Sequence, residues 1–302
     1  MRIVMIGGNG FIGGSFTEYI QKENIEIICC DLIGPDKKRK NVSYICMEEE
    51  DKNFYRNILR KNDIVIIFKW QGAPATFMDM GRVLAEKNIV GTMVLIEACV
   101  EKEVKKIIFA SSGGAVYGNA DRLPIREDAQ TAPISLYAVQ KLMVEKYLEY
   151  VNRVDGINII ILRMANPFGP KQKPFTGQGI IATFLACNSL GKQVEIYGDG
   201  NYVRDYLFID DLSECILQCC KKEMKSGIYN IGSGKGTSVF EICAIIERLT
   251  GKAMIYRECE IGKGQVKNNI LDCSKIEQEI GWKAHVNVED GIKKMLKKEG
   301  NR

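Results

Sequence analysis

Along the first half of the chain, short apolar runs rich in β-branched residues alternate with longer stretches of mixed polarity. The runs at 3–6, 26–30, 64–68, 106–110 and 158–162 have the length and continuous hydrophobicity of strands buried on both faces. Between them, helices are predicted over 11–23, 52–61, 78–101 and 135–153. In the third of these, Val83, Leu84, Val94, Leu95, Ala98 and Cys99 recur at helical spacing. Strand and helix alternating in this way predict a parallel, doubly wound α/β sheet. Beyond residue 165 the texture changes. Glycines and prolines cluster over 166–179, a helix is predicted over 180–189, and a turn at Gly198-Asp199-Gly200. A short strand at 227–231 and helices over 238–250 and 288–298 follow. The pattern divides the chain into a sheet domain over 1–165, to which later segments return, and a smaller C-terminal α/β substrate lobe over 166–302.

Composition sharpens this outline. With 302 residues and 46% hydrophobic positions, the chain has ample material for a core and exceeds a typical single domain. The net charge of +4 resides in the last ten residues, where Lys293, Lys294, Lys297, Lys298 and Arg302 outweigh Glu299. The remainder is neutral, and no basic field points to nucleic acid. His285 is the single histidine, so a hydrolytic triad would depend on one imidazole near the C-terminus, and multi-histidine metal sites are excluded. Some other side chain has to move protons. The eleven cysteines are odd in number and contain no Cys-x-x-Cys pair, which argues for buried thiols in a reducing compartment rather than zinc or a dithiol. No apolar run approaches the ~20 residues of a membrane helix, and Ile3-Val4-Met5-Ile6 is too short for a signal-peptide core. The expectation is a cytoplasmic protein with no metal and no membrane partner.

Two motifs carry chemistry. Gly7, Gly10 and Gly13, with Phe11 and Ile12 between the last two, follow the first predicted strand and open the first predicted helix. This spacing gives a tight turn, close backbone approach to a diphosphate and a helix N-terminus aimed at it. Asp31 ends the second strand 18 residues past Gly13; its carboxylate suits ribose hydroxyls and repels a 2′-phosphate, so NAD is expected over NADP. The run Lys37-Lys38-Arg39-Lys40 could hold a phosphate, but a solvated loop is the simpler reading. The second motif is Tyr137-x-x-x-Lys141 on a predicted helix, where positions i and i+4 share a face. An ammonium there is expected to favour phenolate and lower the tyrosine pKa from ~10, making Tyr137 a usable acid and base.

With these two motifs, the segment Ser111-Ser112-Gly113-Gly114-Ala115-Val116-Tyr117-Gly118 resembles the extended short-chain dehydrogenase/reductase superfamily, and more narrowly its UDP-glucose 4-epimerase-like nucleotide-sugar branch. In the second half, Arg163 to Pro170, Tyr197 to Gly200, Val203 to Tyr206, Asp210-Asp211-Leu212, Tyr229 to Gly234, and Leu271 to Lys275 with Gly281-Trp282 are similar to that branch in order. The resemblance covers nearly the whole chain and implies a Rossmann-type fold that binds NAD. It also implies residue roles: Tyr137 as acid and base at the sugar hydroxyl, Lys141 tuning it and holding the nicotinamide ribose, and Asn88 supporting the cofactor. Ser112 would hydrogen-bond the reacting oxygen, with Ser111 the alternative. Asn166 and Arg204 would hold the nucleotide diphosphate, where a guanidinium fork suits phosphate oxygens; alternatively Asn166 caps the loop before Pro167, and Arg204 pairs with Asp205 or Asp210. Family members are often homodimers through two helices, here those near 78–101 and 135–153.

Within that branch, dehydratases need an extra carboxylate beside the serine, and Ser112-Gly113-Gly114-Ala115 offers none. Enzymes resembling GDP-fucose synthase rely on a cysteine and a histidine, and His285 lies outside any matching motif. What the resemblance implies is NAD-dependent epimerisation of a nucleotide sugar at C4, a UDP-hexose or its N-acetyl form, through a transient 4-keto sugar. The alternatives are a 4-ketosugar reductase on the same Tyr137 and Lys141, and a non-enzymatic NAD-sensing protein, against which the intact Ser112, Tyr137 and Lys141 argue. Three departures stand out. Phe68-Lys69-Trp70-Gln71-Gly72 replaces the family's His-Leu-Ala; Ile261-Gly262-Lys263-Gly264-Gln265 replaces an Arg and Asp; and Asn269 stands where a bulky aromatic would exclude an N-acetyl group.

Overall fold

The computed structural model describes residues 1–47, 51–72, 77–198, 200–260 and 266–299. Asp199 of the predicted turn, the departure at 261–265 and Arg302 fall outside them. The first strands are β1 (Arg2–Ile6), β2 (Glu26–Asp31), β3 (Val42–Cys46), β4 (Ile64–Ile67), β5 (Lys106–Ser112) and β6 (Asn158–Met164). The later ones are β7 (Asn166–Phe168), β8 (Val194–Tyr197), β9 (Val203–Phe208), β10 (Gly227–Ile231), β11 (Gly236–Ser238) and β12 (Tyr256–Cys259). The helices begin with α1 (Phe11–Tyr19), α2 (Lys52–Ile58), α3 (Phe77–Ala85), α4 (Gly91–Glu101), α5 (Gly113–Val116) and α6 (Leu136–Asp155). They continue with α7 (Ile180–Leu190), α8 (Ile209–Lys221), α9 (Val239–Thr250), α10 (Ser274–Ile280) and α11 (Val288–Glu299).

Two compact units emerge. The first comprises Met1–Ser112, Leu136–Arg163 and Ser213–Tyr229. Its sheet has seven strands in the order β10-β6-β5-β4-β1-β2-β3, with parallel pairing from β3 through β5. Because strand side chains alternate faces, Val4 and Ile6, Val65 and Ile67, Ile107 and Phe109, and Ile159 and Ile161 all point into one core, where they meet Tyr55, Leu95, Cys99, Val144 and Leu148 from the helices. Burying each large apolar side chain contributes about 1.5–3 kcal/mol. Five predicted strands and three of the four helices predicted between them match this unit to within a few residues. The edge strand β3 does not stand out in sequence, since an edge strand with exposed positions needs no continuous apolar run.

The predicted helix over 78–101 requires correction. It is two helices, α3 and α4, joined by a π-helical turn at Glu86–Val90. Asn88 sits inside that turn, fully buried. A π-turn widens the helix locally and is frequent at functional sites, and no hydrophobic periodicity announces it.

The second unit comprises Gly113–Ser135, Met164–Leu212 and Asn230–Arg302. It contains a three-stranded sheet, β11-β9-β7, and a parallel pair, β12-β8. Helix α9 opens on a capping box in which Ser238 and Glu241 satisfy each other's backbone N–H groups, and it closes at Gly251 in the left-handed region. Buried Asp205 organises this unit: its carboxylate accepts from the Ser233 N–H and hydroxyl at 2.8 and 2.7 Å and from the N–H groups of Gly234 and Leu271. Helix α8, whose residues the motif Asp210-Asp211-Leu212 had marked only locally, spans 13 residues. Among the described residues no helix is long and apolar enough to cross a membrane.

Beneath the carboxyl end of β5 lies a buried ion pair. Arg163 Nη2 and Nε donate to Glu145 Oε2 at 2.7 and 3.1 Å, and both side chains are sealed from solvent. Replacing Glu145 with alanine strands the guanidinium in a dry interior and is expected to lower unfolding free energy by about 3–5 kcal/mol in chemical denaturation. A double replacement by leucine at 145 and methionine at 163 should recover most of that loss; no recovery would mean that the pair is not its source.

Candidate active site

The glycine loop between β1 and α1 is closed by sterics. Gly7 has φ +78°, and a Cβ there would lie 2.5 Å from the Lys69 backbone. At Gly13 a Cβ would meet the Gly8 backbone at 2.6 Å, and at Gly8 it would meet Cys29 Sγ at 2.6 Å. At Gly7 and Gly13 the obstacle is backbone, whereas at Gly8 it is a side-chain sulfur. Gly10 is different: it is exposed, caps α1, and has only the Gly7 carbonyl within 4 Å, at 3.8 Å. Phe11 and Ile12 beside it are half-buried, and the first turn of α1 carries no acidic residue. The open side of the loop therefore presents the free N–H groups of a helix N-terminus to an anion. Asp31 is held at the rim, its carboxylate accepting from Asn9 N–H at 2.8 Å and Ile33 N–H at 3.3 Å. Lys37, Lys38 and Lys40 are exposed, while Arg39 pairs with Glu18 at 3.3 Å. This cradle, closed where a Cβ would intrude and open at Gly10, fits a dinucleotide.

At the carboxyl end of β5 the two serines part ways. Ser111 donates to the buried carboxylate of Glu145, whereas Ser112 is hydrogen-bonded to the Tyr137 phenol. Of the two serines, Ser112 is the one beside the phenol. Tyr137 and Lys141 lie in the first turns of α6, as the spacing predicts, and the ammonium packs on a neighbouring indole. Lys141 Nζ donates to the Ala110 carbonyl at 2.7 Å and lies 3.7 Å from the centroid of the Trp70 ring, against 5.9 Å for Tyr137.

The expected lowering of the Tyr137 pKa is therefore corrected. Burial pushes the phenol up to about 12, with the Ser112 hydrogen bond the one opposing influence. Lys141 moves instead: burial drives it down to about 7, and the nearby Glu145 carboxylate holds it up. Desolvation is the largest influence on both groups, and the ammonium is held by a carbonyl and an indole face.

The Asn88 amide is bonded within the protein. Its Oδ1 accepts from Gln71 N–H at 2.8 Å, and its Nδ2 donates to the Gln71 carbonyl at 2.9 Å and to Gln140 Oε1 at 3.3 Å. It staples the loop after β4 to the π-turn and to α6. Asn166 and Arg204 belong to the second unit. Asn166 donates to the Asp205 carbonyl at 3.0 Å and lies beside Gly114, where a Cβ would come within 3.6 Å of its amide. Arg204 donates to the Val203 carbonyl at 3.1 Å and to the carbonyls of Val266 and Lys267, not to Asp205, whose carboxylate is already taken. Asn269 is fully buried, donates to the Gly113 carbonyl at 2.9 Å, and keeps its Oδ1 without a partner.

Comparison with known proteins gives a consistent picture. The family model described as the NAD dependent epimerase/dehydratase family matches residues 3–232. A putative UDP-glucose 4-epimerase from Methanocaldococcus jannaschii is 31% identical, over 99% of each chain. Among solved structures, the UDP-glucose 4-epimerase of Thermotoga maritima with UDP-glucose is 32% identical, with a TM-score of 0.92, over 100% of this chain and 99% of that one. The Thermus thermophilus UDP-glucose 4-epimerase in complex with NAD is 28% identical, with a TM-score of 0.90, over 98% of each.

Lys141 gives the site a stability signature. In the unfolded chain its proton is retained up to its ordinary 10.5, but in the folded chain only below about 7. Between those values the unfolded state holds more protons, so stability rises with pH. Relative to Lys141→Met, the wild-type chain is expected to gain stability from pH 7.5 to 9.5 by at most about 1.4 kcal/mol per unit. Parallel denaturant titrations measure this; a difference that is flat or falls with pH would contradict a desolvated ammonium.

Proposed function

The chain belongs to the NAD dependent epimerase/dehydratase family, and on that premise we propose that it inverts C4 of a nucleotide sugar, with UDP-hexoses or their N-acetyl forms as substrates. The observation that carries this reading is the Ser112–Tyr137 hydrogen bond, with Lys141 one helical turn away and no carboxylate in the Gly113-Gly114-Ala115 stretch that follows. Gly7, Gly8, Gly10, Phe11, Ile12, Gly13 and Asp31 would hold NAD. When bound, the cofactor supplies a reversible hydride acceptor.

The chain's own groups handle the proton. Tyr137 takes it from the sugar hydroxyl as a phenolate and returns it as a phenol, while Ser112 donates a hydrogen bond to the same oxygen. In the free chain only Ser112 favours phenolate, so Tyr137 releases its proton when positive charge is brought near it. Proton abstraction is thereby tied to occupancy of the glycine cradle. Lys141, freed from the Ala110 carbonyl, would meet the ribose hydroxyls. Arg204 suits the diphosphate: its guanidinium is fastened by carbonyls that cancel none of its charge, and burial lowers its pKa, so a doubly charged partner is the natural complement.

A second copy of the chain is the proposed partner. On α6, Leu136, Val139, Met143, Tyr150 and Val154 are all exposed, at 38–62%, and their spacing of three, four and seven residues forms an apolar stripe suited to helix packing.

Three outcomes are expected. Purified protein with NAD should interconvert UDP-glucose and UDP-galactose, or their N-acetyl forms, in a chromatographic assay. Interconversion of neither pair would refute the reading, and NADH consumed one-for-one by a 4-keto sugar would mark a reductase. Tyr137→Phe should lower kcat by about 10²–10⁴-fold with KM little changed, since it removes only the proton carrier. Met143→Glu should shift the light-scattering mass from two chains to one.

A further inference from the structure

Trp70 follows β4 in the departure Phe68-Lys69-Trp70-Gln71-Gly72, and its indole lies against the proton-handling pair. Lys141 Nζ sits 3.7 Å from its ring centroid, closer than to any other ring. Its ring meets Tyr137 edge-on, with centroids 6.0 Å apart at 81°, and Phe109 at 6.3 Å. Its backbone is fixed from the next residue, because Asn88 holds both the N–H and the carbonyl of Gln71. The indole Nε1 is buried without a hydrogen-bond partner. A leucine or phenylalanine would pack in this region without burying an unpaired donor, so packing alone does not account for tryptophan. An indole face attracts a desolvated cation more strongly than any other side-chain ring.

We propose that Trp70 is a positioning residue whose indole face holds the Lys141 ammonium beside Tyr137. The assignment rests on the reading of Tyr137 and Lys141 as the proton-handling pair. Other groups lie around the same ammonium or beside its contacts. Tyr137 and Glu145 lie on its own helix, with Glu145 bound to Arg163 of β6. β5 contributes the Ala110 carbonyl and the Phe109 ring, and Lys69, itself buried, precedes Trp70 in the chain. Of the ring contacts the indole is the nearest, and it can be altered without changing a charge.

Lysine-¹⁵N NMR, with the Lys141 Nζ signal assigned by its absence in Lys141→Met, measures the titration midpoint directly. Trp70→Leu is expected to lower that midpoint by about half to one and a half pH units, and Trp70→Phe by less. An unmoved midpoint in a folded Trp70→Leu protein overturns the assignment. Should that variant fail to fold, the wild-type chain still decides. Trp70 and Trp282 are its two tryptophans, and indole emission should titrate with Lys141. Lys141→Met should abolish the transition, and a transition that survives there overturns the assignment. Neither measurement needs cofactor or sugar. A protein that titrates as expected yet epimerises nothing refutes the proposed function alone, whereas one that epimerises with an unmoved midpoint refutes the role of Trp70 alone.

Discussion

An ammonium enclosed by protein has to be satisfied by groups that do not themselves need water, and the surroundings of Lys141 meet that requirement. A carbonyl at 2.7 Å takes one N–H bond, an indole face lies at 3.7 Å, and Glu145, one turn further along α6, supplies opposite charge. Glu145 in turn is clamped by Arg163 and by Ser111, so the charge below the lysine does not drift. The two adjacent serines of β5 are thereby divided between two tasks, one to the buried pair and the other to Tyr137. Desolvation still prevails, leaving Lys141 near neutrality and Tyr137 protonated. A pair so balanced responds strongly to any added charge, because in a dry site one neighbouring ion acts at low dielectric.

The glycine loop works by a different principle. Its shape follows from excluded volume: backbone at Gly8 and Lys69 occupies the space where Cβ atoms would stand at Gly13 and Gly7. The result is a helix N-terminus whose donors remain available at the exposed Gly10. Sterics thus prepare a site for a charged ligand, and Asp31, tied to Asn9 and Ile33, sets its rim.

Much of the fold could be read from the chain. Strands buried on both faces are conspicuous because continuous apolar runs have few other uses, and β1, β2, β4, β5 and β6 all belong to this class. Gly7, Gly13 and Asp31, and Tyr137 with Lys141, were legible as motifs because each depends on local spacing along one strand or helix turn, whereas Ser112 came only with the family resemblance. The edge strand β3 and the π-turn at Glu86–Val90 were not. An edge strand is specified by its neighbour's unpaired backbone, and a π-turn by a buried amide, Asn88, that bonds to Gln71 and Gln140 from distant segments.

Sequence by itself determined which residue types were present and at what helical or strand register, and hence that a phenol and an ammonium share a face of α6 behind a phosphate-sized glycine turn. It could not determine which way the ammonium turns on that face. That choice was made by tertiary packing, which brings Trp70 and the Ala110 carbonyl against Lys141 and buries the phenol, so that the cost of desolvating a phenolate raises the tyrosine pKa. Burial and orientation are properties of three-dimensional neighbours, so a pKa expected from spacing alone changed sign once those neighbours were in place.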